Sequence, residues 1–189
     1  ENIEYEKSYV LEVTFTNGDV LSTTVSKSTV MASQSFGDKF NYDGDLGALY
    51  EKEGTTFKLW SPIAAYAQVF LYDSGTPKSL NMPSSSDAYR PYTMFYTKGG
   101  VWELTIVGDL KSKFYTYSIT HSAGTVETVD PYAKAVGING MRGFIYDKNS
   151  AEANPNGWDG VPLDWSKQEG YKINGNQDLT IYEVHIRDL

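Results

Sequence analysis

Apolar and polar positions along this chain alternate with a period of two, and the alternating runs are short and separated by turn residues. Residues 9–15 (YVLEVTF) alternate, Asn17-Gly18-Asp19 supplies turn chemistry, and residues 20–25 alternate again, which predicts a hairpin. A hairpin of that size does not stand alone in water, so it reads as an appendage. Residues 26–38 are polar and Ser-rich, and residues 40–47 (FNYDGDLG) form a Gly/Asp-punctuated loop leading into the main domain. Strand-like runs then recur at 56–60, 67–72, 92–96, 101–107 and 114–120, the last continued by 126–129. Five or six strands without a convincing helix predict an all-β, antiparallel β-sandwich. Within residues 102–106 (WELTI), Trp102, Leu104 and Ile106 share the face that belongs in the core.

The remaining stretches break the alternation. Residues 76–91 hold three Pro and four Ser and read as a long loop. Residues 148–160 (KNSAEANPNGWDG) are polar, with Asn-Pro and Asn-Gly turns, and read as a linker. Residues 179–189 (LTIYEVHIRDL) alternate again and stop at Asp188-Leu189 with no turn or cap, so they are expected to open a further domain whose chemistry lies beyond Leu189. The expected division is therefore 1–40, a hairpin appendage and linker; 41–147, the sandwich; 148–178, a linker; and 179–189, one strand of another fold.

Composition narrows the functions open to such a chain. At 189 residues, 40% hydrophobic and 21% charged, it can bury one principal core. A net charge of −8 disfavours nucleic acid, which needs clustered Lys and Arg, and no basic run exists. The apolar runs fall far short of the ~20 residues of a membrane helix, and no secretory leader is visible. The absence of Cys excludes disulfides and thiolate metal sites but leaves the compartment open between bacterial cytoplasm and a secreted or cell-surface location. Aromatics reach 14%, with 15 Tyr, rings that suit half-buried strands and sugar surfaces alike.

Several phrases together resemble one family. DLGALYEKEGTTFKLW at 45–60, followed by Ser61-Pro62, GVWELTIVGDL at 100–110, KFYTY at 113–117, DPYAKAVGINGMRG at 130–143 and IYEVHIRDL at 181–189 stand in the order found in type I pullulanases. The resemblance covers roughly residues 42–189 and is least distinctive over the hairpin. It implies an isoamylase-type N-terminal module, an immunoglobulin-like sandwich classed with family 48 carbohydrate-binding modules, preceding a barrel of the α-amylase superfamily. On that resemblance IYEVHIRDL is the first barrel strand, and the family's catalytic Asp, Glu and second Asp, with its YNWGYDP signature, fall on later strands. Retaining glycoside hydrolysis needs two carboxyl groups ~5–5.5 Å apart across a cleft, so no catalytic residue is assigned here. The chain is expected to be the non-catalytic N-terminal part of an enzyme hydrolysing α-1,6-glucosidic linkages in pullulan and branched α-glucans. The alternatives are a stand-alone α-glucan-binding module and an adhesion-type sandwich.

Candidate binding residues follow from the strand faces. Trp60, Phe70 and Tyr72 lie opposite Phe57, Leu59, Val69 and Leu71, so if the two strands pair, Trp60 and Tyr72 form a flat platform for stacking glucose rings. The competing reading packs this face on the enzyme's own barrel. Glycogen-targeting relatives carry a Trp shortly before the Asp-Pro that closes the sandwich, and matching on Asp130-Pro131 puts Glu127 there. Tyr89, Tyr92 and Trp158 are loop aromatics of secondary interest. No cofactor or metal is expected. His121 and His185 stand far apart, Asp43 and Asp45 lack the remaining calcium ligands, and Gly137, Asn139, Gly140 and Gly143 fit a tight turn better than a phosphate loop. In the last strand Arg187 is expected to pair with a carboxylate beside Glu183 and Asp188.

Overall fold

The structure, a computed structural model, describes residues 4–79 and 84–153. Its first compact unit runs to Asp147 and is treated by itself. Val10–Thr14 (β1) and Val20–Thr24 (β2) pair antiparallel as the alternation predicts, with Gly18 taking a positive φ of 89° in the turn. Every residue of both strands is exposed.

Two short helices follow where the polar composition predicts none, Ser28–Met31 (α1) and Gln34–Phe40 (α2). Ser33 caps α2, its hydroxyl accepting the Phe36 N–H at 3.3 Å. Phe36 and Phe40, four residues apart, are both buried and hold the helix in place. A single i, i+4 aromatic pair inside a Ser-rich run carries too little periodicity to register as a helix.

The sandwich is built from Gly47–Glu51 (β3), Gly54–Trp60 (β4), Tyr66–Tyr72 (β5), Pro91–Thr93 (β6), Phe95–Tyr96 (β7), Val101–Val107 (β8), Phe114–His121 (β9), Gly124–Thr128 (β10) and Gly143–Phe144 (β11). One sheet runs β3-β4-β8-β7; the other runs β10-β9-β5-β6, with β11 also on β9. All pairings are antiparallel. The single strand expected over 92–96 is instead split between the sheets at Met94, which is 1% exposed. Its N–H bonds the Ala67 carbonyl at 2.9 Å, after which Phe95 and Tyr96 pair with β8 in the opposite sheet. A chain that crosses between layers needs a flexible apolar filler at the crossing, and unbranched Met supplies it.

Alternation places the core as the sequence predicts. Phe57, Leu59, Val69 and Leu71 are buried, as is Trp102, while Leu104 and Ile106 pack against the same cluster. Phe57 meets Tyr115 edge-on at 5.2 Å, and Tyr115 meets Tyr117 likewise at 5.6 Å. Asp130, 3% exposed, closes this side: its carboxylate accepts the Tyr115 hydroxyl at 2.7 Å and the Tyr132 N–H at 2.8 Å. Gly47, at φ +94°, lies against it so closely that a Cβ there would stand 2.8 Å from the Tyr132 carbonyl oxygen.

Burial is the largest influence on Asp130 and raises its carboxyl above the ordinary 3.8, against the lowering effect of the two hydrogen bonds. A raised folded value means the group's contribution is complete below 3.8 and is lost as pH rises through the folded value. Asp130→Asn should therefore gain stability relative to wild type as pH climbs above 3.8. Urea denaturation of both proteins across the acid range reads this directly, and a pH-independent difference would remove the assignment.

Candidate carbohydrate-binding surface

Trp60 is the last residue of β4 and points outward by alternation, at 39% exposure. Its indole N–H is shared between the Phe40 carbonyl at 2.9 Å and the Gly99 carbonyl at 3.0 Å, which fixes the ring at the junction of α2 with the turn before β8. Tyr72 ends β5 in the other sheet and is fully buried. The flat platform of Trp60 with Tyr72 is therefore not formed. The two strands do not pair: β4 lies between β3 and β8, and β5 between β9 and β6.

Tyr72 faces outward from its sheet yet is covered. The Arg142 guanidinium lies 3.5 Å from its ring centroid, and its hydroxyl is 2.8 Å from both Thr116 Oγ1 and Glu127 Oε1. Arg142, itself fully buried, donates to the carbonyls of Ser74 at 2.8 Å and Thr76 at 3.2 Å and grips Asp87 at 2.5 Å. That guanidinium holds the Asp87 carboxyl below its ordinary 3.8. Glu127 accepts from Tyr72 and Thr116 on one oxygen and from the Ser85 N–H at 3.0 Å on the other. Both oxygens of the Glu127 carboxylate are thus engaged in internal bonds. Gly75 and Gly137 let the two loops touch here, since a Cβ on Gly137 would fall 2.7 Å from the Gly75 carbonyl oxygen.

Around this clamp the surface is polar and paired. Lys113 bonds Asp73 at 2.6 Å and the Tyr89 hydroxyl at 2.9 Å, and Tyr89 also donates to Asp73. Tyr92 packs against the core with the Arg90 guanidinium 4.7 Å from its ring centroid. On the outer face of the second sheet Tyr66 and Thr93 hydroxyls meet at 2.7 Å and those of Thr120 and Thr125 at 2.8 Å. Among the described residues no group of His, Asp and Glu is arranged to hold a metal. His121 accepts the Ala123 N–H on Nδ1, and Asp43 accepts from the Asn41 amide. Trp158, Glu183, His185, Arg187 and Asp188, like the strand expected over 179–189, lie outside the described residues. No helix among the described residues is long and apolar enough to cross a membrane.

Arg142 and Asp87 were not legible as partners, because they stand in separate loops and nothing local marks them. The one available signal was an Arg inside a Gly-rich turn, a context in which a lone cation is rarely left unpaired once buried.

Two antiparallel sheets packed in this way define an immunoglobulin-like β-sandwich. The chain matches, over residues 45–133, carbohydrate-binding module 48, the isoamylase N-terminal domain. It is similar to the N-terminal part of pullulanases: 34% identical to a pullulanase of Bacillus subtilis over 166 residues, covering 88% of this chain and 20% of that protein. A chloroplastic pullulanase of Arabidopsis thaliana is 28% identical over 79% of the chain and 15% of its own length. Among solved structures, a Paenibacillus barengoltzii pullulanase in complex with maltohexaose and α-cyclodextrin superimposes with a TM-score of 0.59 at 38% identity, over 68% of this chain and 18% of that one. The type I pullulanase of Bacillus subtilis, in complex with maltose, gives 0.56 at 33% identity, over 71% and 17%. The chain spans about a fifth or less of these relatives.

Breaking the Arg142–Asp87 pair strands a carboxylate that is 6% exposed, so Arg142→Met should cost about 3–5 kcal/mol. The Asp87 contribution is present above 3.8 and lost as pH falls below it, so the deficit of the variant should shrink in acid. Lys113→Met, at an ion pair open to solvent, should shift the urea midpoint far less. Equal shifts in the two variants would contradict the clamp.

Proposed function

We propose that this chain is the non-catalytic N-terminal part of a pullulanase-type debranching glycoside hydrolase, whose catalytic barrel cleaves α-1,6-glucosidic linkages in pullulan and branched α-glucans. The observation that carries the reading is a match to pullulanases over 88% of the chain that takes up only 20% of the relative. Within it, residues 41–147 form the module, 1–40 an appendage, 148–178 a linker and 179–189 the first barrel strand. The module engages α-glucan and its own barrel. Support for a glucan partner comes from the family match and from the oligosaccharides carried by solved pullulanases. Trp60 is the residue of the expected pair that offers an exposed ring, and Tyr72 serves the clamp beneath Arg142.

The isolated chain should release no reducing ends from pullulan, whereas the product of its complete reading frame should. Hydrolysis by the 189-residue chain alone, or a complete product that binds pullulan without cleaving it, would overturn the reading.

A further inference from the structure

At the end of the sandwich away from the Arg142 clamp, a groove of about 900 Å³ separates the N-terminal segment and α2 from the corner made by β7 and β8. One wall is an aromatic cluster. Tyr5 stands edge-on to Phe36 at 5.2 Å and to Phe40 at 5.3 Å, and Lys27 Nζ bonds the Tyr5 carbonyl at 2.8 Å, so this wall is tied down from both sides. Lys39 lays its ammonium 4.8 Å from the Tyr5 ring centroid. The other wall is Trp102, anchored by its indole N–H on the Ser61 carbonyl at 3.0 Å, with Tyr96 edge-on to it at 5.5 Å. Tyr96 is half exposed and lines the groove, as do Ala64 and Ala65, which add small apolar patches. Glu6 and Lys39, both exposed, also line the groove and supply an acceptor and a donor.

The chemistry of those walls selects the ligand. A purely apolar guest would draw the Glu6 carboxylate and the Lys39 ammonium away from water without offering either a hydrogen bond, which is costly. An anionic guest meets two glutamates, Glu4 and Glu6, on a chain of net charge −8. A neutral polyol with an apolar ring face satisfies both kinds of surface: its C–H face stacks on an aromatic ring while its hydroxyls take up the acceptor and the donor. We propose that this groove binds a short α-linked glucose chain, one ring stacked on Tyr96 with hydroxyls on Glu6 and Lys39. The assignment rests on the glucan-module reading above and adds a location to it, at a place neither Trp60 nor Tyr72 marks.

The test is an NMR titration of the whole chain with maltotetraose, following the methyls of Ala64 and Ala65, with cellotetraose as the β-linked comparison. Saturable shifts of both methyls are expected with maltotetraose. Tyr96→Ala, a substitution at an exposed ring, should weaken binding about tenfold with the core methyls unmoved, and Glu6→Gln should weaken it several-fold. Maltotetraose binding that leaves Ala64 and Ala65 still and is unchanged in Tyr96→Ala would overturn the groove while sparing the glucan-module reading. No saturable binding of maltotetraose by wild type would overturn both, and equal affinity for cellotetraose would overturn the α-linked assignment.

Discussion

A guanidinium sealed from water governs one whole end of this sandwich. Arg142 cannot lose its charge, so once buried it must be surrounded by acceptors and by the negative face of a ring. Ser74 and Thr76 carbonyls, the Asp87 carboxylate and the Tyr72 ring are those partners, and they come from two stretches of chain, both distant in sequence from Arg142. Collecting them fixes the path of the loop after β5 and of the turn before β11. The close approach of Gly75 and Gly137 follows from that collection, as does the inward commitment of Glu127.

This has a functional consequence. The same polar groups that would serve a sugar at this end are already engaged with one another, and the ring that would stack on it lies under a cation. The opposite end is assembled on another principle. There, Tyr5 packs edge-on to Phe36 and Phe40, themselves tilted against each other, and Trp60 joins α2 to the turn before β8 through a forked indole hydrogen bond. Trp60 and Tyr96, each held by a neighbour yet exposed, are the kind of surface that can meet a ligand without reorganising, so less of the interaction is lost to ordering.

Much of the fold was readable because it depends on a period of two. The faces of β4, β5 and β8, the burial of Trp102 and the N-terminal hairpin all follow from alternation and a single Asn-Gly turn. Alternation names the face of a residue but not the sheet that owns it, which is why Trp60 and Tyr72 looked like neighbours when their strands belong to different layers. Met94 divides one alternating run between both sheets, a feature only the three-dimensional closure requires. The helix α2 escaped for the opposite reason: its one apolar pair acquires meaning from Tyr5, some thirty residues earlier, and no local pattern reports such a contact.

Weak binding would be enough for such a module. A neutral oligosaccharide brings no charge to complement the acidic surface, so affinity must come from stacking and a few hydroxyl bonds, contributions that add up to the millimolar range for one short site. In the proposed arrangement, where a catalytic domain on the same chain works on the same polymer, a second weak contact becomes an intramolecular one at high effective concentration, and the combined hold exceeds either alone. Weak contacts also release quickly, which keeps a polymer-processing enzyme moving along its substrate. An end of the sandwich that exposes rings without committing many polar groups suits that requirement, and the end locked by Arg142 does not.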